Sequence, residues 1–225
     1  MNTGIIVAAG KSSRVGPGVD KAFLSLGTRP VLAYSVRAFE RCPDIDSVIL
    51  VVRKDHLESA RNMVQLYGYS KIDKVIAGGA KRQVSVSKGL AELNDDVKLV
   101  TVHDGARPCI EPELISETIK VAKRCGSAVA AVKVTDTVKH VNRGTVISKT
   151  VDRSKLWAVQ TPQTFKVDLL KKAFEKVRKK GLTVTDEASA VELVSKNVRL
   201  IPASISNIKI TTADDLALAA ALMKL

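Results

Sequence analysis

The chain has 225 residues, of which 45% are hydrophobic and 26% charged, and its formal net charge is +13. This size and composition predict one soluble α/β domain spanning residues 1–225, and the charge favours anionic partners such as nucleotides, phosphorylated metabolites, nucleic acid or acidic membrane. The three cysteines lack C-x-x-C spacing, which argues against a disulfide framework. No apolar run is long enough to span a membrane, and the N-terminus lacks the basic segment of a secretion signal. These features predict a cytoplasmic protein.

The first part of the chain alternates short apolar runs with segments of helical spacing. Buried strands are predicted at residues 5–9, 48–52, 74–77, 99–102 and 128–134. Helices are predicted between them, at residues 31–39, 57–66, 84–93 and 114–122. Repeated β-α-β units of this kind predict a mostly parallel sheet with helices on both faces.

The β-α alternation then breaks at a predicted hairpin. Residues 137–141 and 146–151 alternate polar and apolar side chains around the turn signal Asn142-Arg143-Gly144. We therefore expect an arm, about residues 136–153, that projects from the domain. Beyond Pro162, helices are predicted at 169–177 and 188–194, a strand at 198–201 and a last helix from near Thr212.

A glycine-containing loop follows the first predicted strand, where open α/β sheets bind their ligands. Ala8-Ala9-Gly10 is followed by Arg14 and Lys21. Glycine lets a backbone approach a phosphate and the two cations add positive charge, although such a loop is also often a simple turn. A Walker A loop is excluded because Ile5 stands where its first glycine belongs, and the dinucleotide pattern fails because serines occupy its later glycine positions.

Two further strand ends carry polar residues. Asp104 ends the fourth strand of the sheet and is placed either to hold Mg²⁺ together with phosphates or to cap the next helix. Gly78-Gly79, with Arg82 and Ser85, marks a helix start or an anion site at a helix N-terminus. The sequence contains neither a Ser-His-Asp order nor a cysteine near a histidine, so no covalent nucleophile is indicated. Cations, one carboxylate and glycine loops are typical of phosphoryl or nucleotidyl transfer.

Taken together, these segments resemble the 2-C-methyl-D-erythritol 4-phosphate cytidylyltransferase family, over residues 5–218. The markers of the resemblance occur in order along the chain: Ala8-Ala9-Gly10, Arg14, Lys21, Gly78-Gly79, Arg82, Ser85, His103-Asp104, Ala106-Arg107-Pro108, Asp136-Thr137, Thr150-Val151-Asp152-Arg153, Thr161-Pro162-Gln163, Thr185-Asp186-Glu187-Ala188 and Asn207-Ile208-Lys209. The resemblance implies a Rossmann-like nucleotidyltransferase sheet and transfer of the cytidylyl group of CTP to 2-C-methyl-D-erythritol 4-phosphate with release of pyrophosphate.

The resemblance also implies roles for individual residues. Catalytic contacts to the triphosphate fall to Arg14, Lys21 and Lys209. The CTP-binding positions are Ala8, Ala9, Gly10, Gly79, Arg82 and Ser85. Asp104 serves both the Mg²⁺ site and the acceptor. The other acceptor positions are Arg107, Thr137, Arg153, Thr161 and Thr185, with Thr161 supporting the active-site lysine.

A homodimer is a further implication, since in this family the hairpin arm reaches into a partner subunit and the acceptor site is shared. Two positions depart from the family pattern: Ser12 replaces a glycine of some relatives, and Asp20 stands before Lys21 where proline is usual.

Three other functions remain as alternatives. The first is the sister activity that uses ribitol 5-phosphate, although residues 185–190 look more like the methylerythritol enzymes. The second is a sugar-1-phosphate nucleotidyltransferase, whose longer insertions are missing here. The third is a basic nucleic-acid-binding protein, which the 4% aromatic content and the absence of a known binding module make less favoured.

Overall fold

The computed structural model describes residues 1–10 and 20–225. Its strands are β1 (Asn2–Ala8), β2 (Ser25–Leu26), β3 (Arg29–Pro30), β4 (Ser47–Val52), β5 (Ile72–Ala77), β6 (Leu99–Asp104), β7 (Ser127–Lys133), β8 (Val138–Arg143), β9 (Val146–Val151), β10 (Trp157–Lys166) and β11 (Arg199–Pro202). Its α-helices are α1 (Val31–Arg41), α2 (Leu57–Tyr67), α3 (Arg82–Ala91), α4 (Pro112–Cys125), α5 (Val167–Lys179), α6 (Glu187–Val191) and α7 (Ala213–Met223).

Within the described residues, the central sheet has seven strands in the order β11-β7-β10-β6-β1-β4-β5. All its neighbouring pairs are parallel except those of β10, which runs antiparallel to both β6 and β7. The predicted Rossmann-like, mostly parallel sheet is therefore confirmed. Non-consecutive neighbours in this order require the crossover connections that the helices supply.

Helices cover both faces of the sheet, and successive residues of β1 pack against helices on opposite faces. Ile6 belongs to one core cluster, whereas Ile5 and Val7 belong to the cluster on the opposite face. The first cluster includes Leu32 of α1, and the second includes Leu170 of α5. Because alternate side chains of a strand point to opposite faces, a continuous apolar run is the sequence that a central parallel strand needs.

The sequence predicts no strand over residues 157–166, where the structure has β10. Pro162 lies within it, and a proline has no N–H to donate to a central strand. In the structure Pro162 falls within the register shift between Val159 and Gln163 in the pairing of β10 with β7. The ladder is interrupted there, so the proline removes no regular ladder bond and the strand continues on both sides of it.

The predicted hairpin arm is present as β8 and β9, which pair with each other in a separate two-stranded sheet. Its exposed side chains include Val146 and Ile147, at 75% and 59% exposure. The last helix also begins as expected, because Thr212 forms a capping box with Asp215. Within the described parts of the chain, no helix has the length and apolar character needed to cross a membrane.

Candidate active site

A cleft opens at the carboxyl ends of β1, β5 and β6, which the sheet register brings to one edge: Asp104 of β6 lies opposite Val7, and Ala77 of β5 opposite Val52. Its cavity volume is about 130 Å³. Predicted site residues that line it are Ala8, Ala9, Gly10, Lys21, Gly79, Arg82, Ser85, Asp104 and Lys209. The structure thus brings together the described nucleotide-binding and catalytic candidates.

Asp104 lies at the centre of the charged groups in this cleft. Its Oδ1 accepts a hydrogen bond from Arg82 Nε at 2.9 Å, and its Oδ2 accepts one from Lys209 Nζ at 2.6 Å. Burial alone would raise the pKa of Asp104, but the two cations outweigh it and hold this pKa well below its usual range. The carboxylate is therefore ionised at neutral pH. It does not cap the next helix, because α4 begins at Pro112 with Glu111 in the N-cap position.

Glu187 is a second buried carboxylate in the cluster, and it accepts Arg82 in a bidentate pair. Arg82 Nη1 and Nη2 lie 2.6 and 2.9 Å from its two oxygens, and the Glu187 side chain is 1% exposed. Burial raises the pKa of Glu187, while Arg82 opposes that rise. Sequence analysis singles out the segment that contains Glu187 as a family motif. It does not predict the ion pair with Arg82, because the two residues are 105 positions apart along the chain.

A hydrogen-bonded chain supports Asp104 from behind. Its backbone N–H donates to Thr161 Oγ1 at 3.0 Å, and that hydroxyl lies 3.0 Å from His103 Nδ1. His103 Nε2 lies 3.3 Å from the carbonyl oxygen of Arg107, which only accepts, so Nε2 carries the proton and Nδ1 accepts from Thr161. Burial lowers the pKa of His103 to about 3, which keeps the ring neutral. Thr161 therefore acts on the site through Asp104.

The loop after β5 packs too closely for larger residues. A Cβ on Gly78 would lie 2.4 Å from Ala9 Cβ, and one on Gly79 would lie 2.3 Å from Val84 Cγ1. Ser85 is buried, and its Oγ accepts from the Gly79 backbone N–H at 3.0 Å. In the structure the Ser85 hydroxyl holds this loop against the start of α3.

Lys21 and Lys209 reach the cleft from different segments. Lys21 follows Asp20, whose Oδ1 accepts from the Ala22 N–H at 3.0 Å and whose Oδ2 lies 3.5 Å from His56 Nε2. The Asp20 carboxylate is thus directed to these two groups. Lys209 is held by its neighbour Ile210, whose N–H donates to the Ala106 carbonyl at 2.8 Å. Arg14, also predicted as catalytic, lies outside the described residues.

Apart from Asp104, the predicted acceptor residues lie outside the lining of the cleft. Arg107 Nη1 donates to the Asn207 carbonyl at 2.6 Å, next to the segment that carries Lys209. Thr137 and Arg153 are exposed at the base of the arm, where Arg153 donates to the carbonyl of Thr135. Thr185 is exposed just before Asp186, the residue that caps α6. Their role in binding an acceptor stays a prediction.

A metal ion bound in this cleft would need ligands other than protein side chains, such as substrate phosphates and water. Among residues 1–10 and 20–225, no group of three or more histidine, cysteine, aspartate or glutamate side chains is placed to hold a metal. Mg²⁺ commonly binds through one or two carboxylates together with substrate phosphates. Asp104 in a cation-lined cleft fits that mode of binding.

Comparison with known proteins agrees with this geometry. Residues 3–225 match the family model described as IspD: 2-C-methyl-D-erythritol 4-phosphate cytidylyltransferase. A protein of that name from Dehalococcoides mccartyi is 45% identical over 98% of this chain and 95% of its own length, and one from Desulforamulus reducens is 44% identical over 98% and 94%.

Solved structures agree as well. The 4-diphosphocytidyl-2C-methyl-D-erythritol synthase of Anaerococcus prevotii superposes with a TM-score of 0.88 at 30% identity, covering 100% of this chain and 99% of that one. The 2-C-methyl-D-erythritol 4-phosphate cytidylyltransferase of Thermus thermophilus gives 0.80 at 32% identity, covering 99% and 98%. The chain belongs to the 2-C-methyl-D-erythritol 4-phosphate cytidylyltransferase family.

Proposed function

We propose that the cleft around Asp104 binds CTP and 2-C-methyl-D-erythritol 4-phosphate and joins them, as the cytidylyltransferase family does. The observation that carries this proposal is the Arg82–Asp104–Lys209 cluster beside the glycine-containing segments after β1 and β5. Cations and backbone groups of this kind stabilise phosphate charge, which is what nucleotidyl transfer requires of a protein. Ribitol 5-phosphate and nucleic acid are not favoured by the family assignment.

The reaction is a direct displacement at the α-phosphorus of CTP. A phosphate oxygen of the acceptor forms a bond to this phosphorus, and the bond to the bridging oxygen of the β-phosphate breaks, so that pyrophosphate leaves with the electron pair. Lys21 and Lys209 stabilise the negative charge that develops on the phosphoryl oxygens. Glycine-rich segments around Gly10 and Gly79 let the backbone approach the nucleotide closely.

Asp104 is the residue we assign to Mg²⁺, with CTP phosphates as the remaining ligands. When bound, Mg²⁺ supplies charge neutralisation to the phosphates and to the departing pyrophosphate. The chain's own contribution is to keep Asp104 ionised, through Arg82 and Lys209, and oriented, through the Thr161 hydroxyl.

The acceptor half of the site is proposed to lie across a homodimer interface, with Arg107, Thr137, Arg153 and Thr185 holding the polyol phosphate. Support comes from the arm: β8 and β9 pair only with each other among the described strands, and a lone two-stranded hairpin is marginally stable in water. Apolar side chains at its tip, Val146 and Ile147, are exposed. A second copy of the chain would give the arm a surface to pack against.

The choice of acceptor gives a first prediction. With CTP and Mg²⁺ fixed, 2-C-methyl-D-erythritol 4-phosphate should support much faster pyrophosphate release than ribitol 5-phosphate, because residues 185–190 resemble the methylerythritol enzymes. Initial rates for the two acceptors at equal concentrations measure this. Faster turnover with ribitol 5-phosphate would assign the protein to the sister activity.

Subunit mixing tests the shared site. Lys21→Ala and Arg153→Ala should each be inactive alone, yet their mixture should regain activity once subunits exchange, since a mixed dimer has one site with neither defect. Random exchange makes half the dimers mixed, so recovery should approach roughly a quarter of wild-type activity by the arithmetic of a symmetric dimer.

Exchange itself must be verified, for example by mass spectrometry of differently tagged chains. If Lys21 and Arg153 of one chain served the same site, every site in the mixture would keep a defect. Verified exchange without any return of activity would therefore refute the shared site, and a monomer in sedimentation would remove the proposed role of the arm.

A further inference from the structure

We propose that Lys209 occupies the cation-binding face of Asp104 in the free protein, so that a divalent cation reaches Asp104 only together with a polyphosphate that draws Lys209 away. This inference rests on the proposed function, because it takes Asp104 as the metal-binding residue. In the absence of nucleotide, the Lys209 ammonium group blocks the access of a metal ion to Asp104.

The contacts of Asp104 show how the site is closed. Each carboxylate oxygen already has a cationic donor, Lys209 Nζ at 2.6 Å on Oδ2 and Arg82 Nε at 2.9 Å on Oδ1. The Asp104 side chain is only 10% exposed, so little of it faces solvent. A divalent cation that approached while both donors stayed would meet two positive charges within a few ångströms, and like charges repel strongly in a poorly solvated site.

Arg82 is the donor that stays. Both of its terminal nitrogens are used by Glu187, which is 1% exposed. Moving Arg82 would leave Glu187 as a buried carboxylate without a partner, and breaking a buried ion pair in this way is strongly destabilising.

Lys209 is the donor that can leave. Within the described chain, Asp104 is its only hydrogen-bonding side chain, and the Lys209 side chain is 34% exposed on a flexible four-carbon stem. It lines the cleft, so a triphosphate bound there can accept its ammonium group in place of Asp104. Asp104 and Glu187 balance the charges of Arg82 and Lys209 in the free protein, so a divalent cation that entered alone would give this cluster an excess of positive charge.

The test measures binding of Mn²⁺ alone, without nucleotide, from the loss of the free-ion electron paramagnetic resonance signal. Wild-type protein should bind Mn²⁺ weakly at this site, whereas Lys209→Met should bind one Mn²⁺ at least about tenfold more tightly, since one repelling charge is gone and one carboxylate oxygen is exposed. Lys209→Gln should behave alike, and thermal melting checks that both fold.

Two further variants make the result specific. The double variant Asp104→Asn with Lys209→Met should lose the gained site. Lys81→Met removes a positive charge from the rim of the cleft, where Lys81 Nζ donates a hydrogen bond to the neutral hydroxyl of Thr183 at 3.1 Å. This variant should gain no Mn²⁺ site. A gain in Lys81→Met equal to that in Lys209→Met would mean that overall positive potential excludes the metal, which overturns the inference.

Repeating the titration with CTP separates this inference from the proposed function. If Mn²⁺ binds with CTP in an Asp104-dependent way but Lys209→Met gains no site in its absence, Lys209 does not close the site, while the metal role of Asp104 stands. If Mn²⁺ binding with CTP does not depend on Asp104, the metal role itself is wrong. Tight Mn²⁺ binding by the free wild-type protein would also contradict the closed site.

Discussion

Asp104→Asn is expected to lower kcat for pyrophosphate release by at least about a hundredfold, a loss typical of removing one charge-stabilising element from an active site. An asparagine keeps the size of the side chain but presents an NH₂ group to one of its two donors, Arg82 or Lys209. It also carries no charge with which to bind Mg²⁺. One substitution therefore removes the metal ligand and disturbs the lysine beside it.

The matched control for this variant is Asp73→Asn. Asp73 is exposed on β5, at the edge of the sheet, so the control makes the same change of charge away from the cleft. Both variants should keep the native far-ultraviolet circular dichroism spectrum. If Asp104→Asn retained near-normal kcat across a Mg²⁺ titration, Asp104 would be a structural residue and not part of the reaction.

Lys209→Ala is expected to lower kcat by about 10²–10³ while changing KM for CTP much less. In the free protein the Lys209 ammonium is paired with Asp104 at 2.6 Å, so binding CTP exchanges one anionic partner for another and gains little. As the α-phosphorus becomes pentavalent, its oxygens gain negative charge and the ammonium interacts more strongly. An interaction that is stronger in the transition state than in the ground state raises kcat.

Lys74→Ala provides the comparison for this lysine. Lys74 Nζ forms a salt bridge with Glu92 at 3.1 Å on the surface, and an exposed pair of this kind contributes little to stability. Full steady-state kinetics of both variants over CTP concentration separate kcat from KM. If Lys209→Ala raised KM for CTP and left kcat unchanged, the lysine would bind substrate and transition state equally, and its catalytic assignment would be wrong.

The sequence was sufficient to predict the mostly parallel sheet, and to place the candidate nucleotide-binding residues at one edge of it, for a physical reason. Central parallel strands need continuous apolar runs, and the residues that end those strands must meet at one edge, so Gly10, Gly79 and Asp104 are brought together by the fold class alone. Strand β10 is not predicted from the sequence because Pro162 interrupts its pattern. Its pairing with β7 in the structure shows that the hydrogen-bond ladder is irregular at that point.

The hydrogen-bond and ion-pair partners of the charged side chains could not be predicted from the sequence. Arg82 was predicted to bind nucleotide, yet in the structure its guanidinium bridges Asp104 and Glu187. Asp20 departs from the family's usual proline, and only the fold shows its carboxylate beside Ala22 and His56. Such pairings depend on side-chain directions between distant segments, which periodicity and spacing do not encode.

Pyrophosphate release over a panel of nucleotides tests the central claim, cytidylyl transfer from CTP, most directly. With Mg²⁺ and 2-C-methyl-D-erythritol 4-phosphate, CTP should give one pyrophosphate for each acceptor consumed, whereas UTP and ATP should give far less and CTP without acceptor should give none. The cytidylylated product, identified by mass spectrometry, should appear at the same rate. Equal release from all three nucleotides, or release from CTP without any acceptor, would contradict the account.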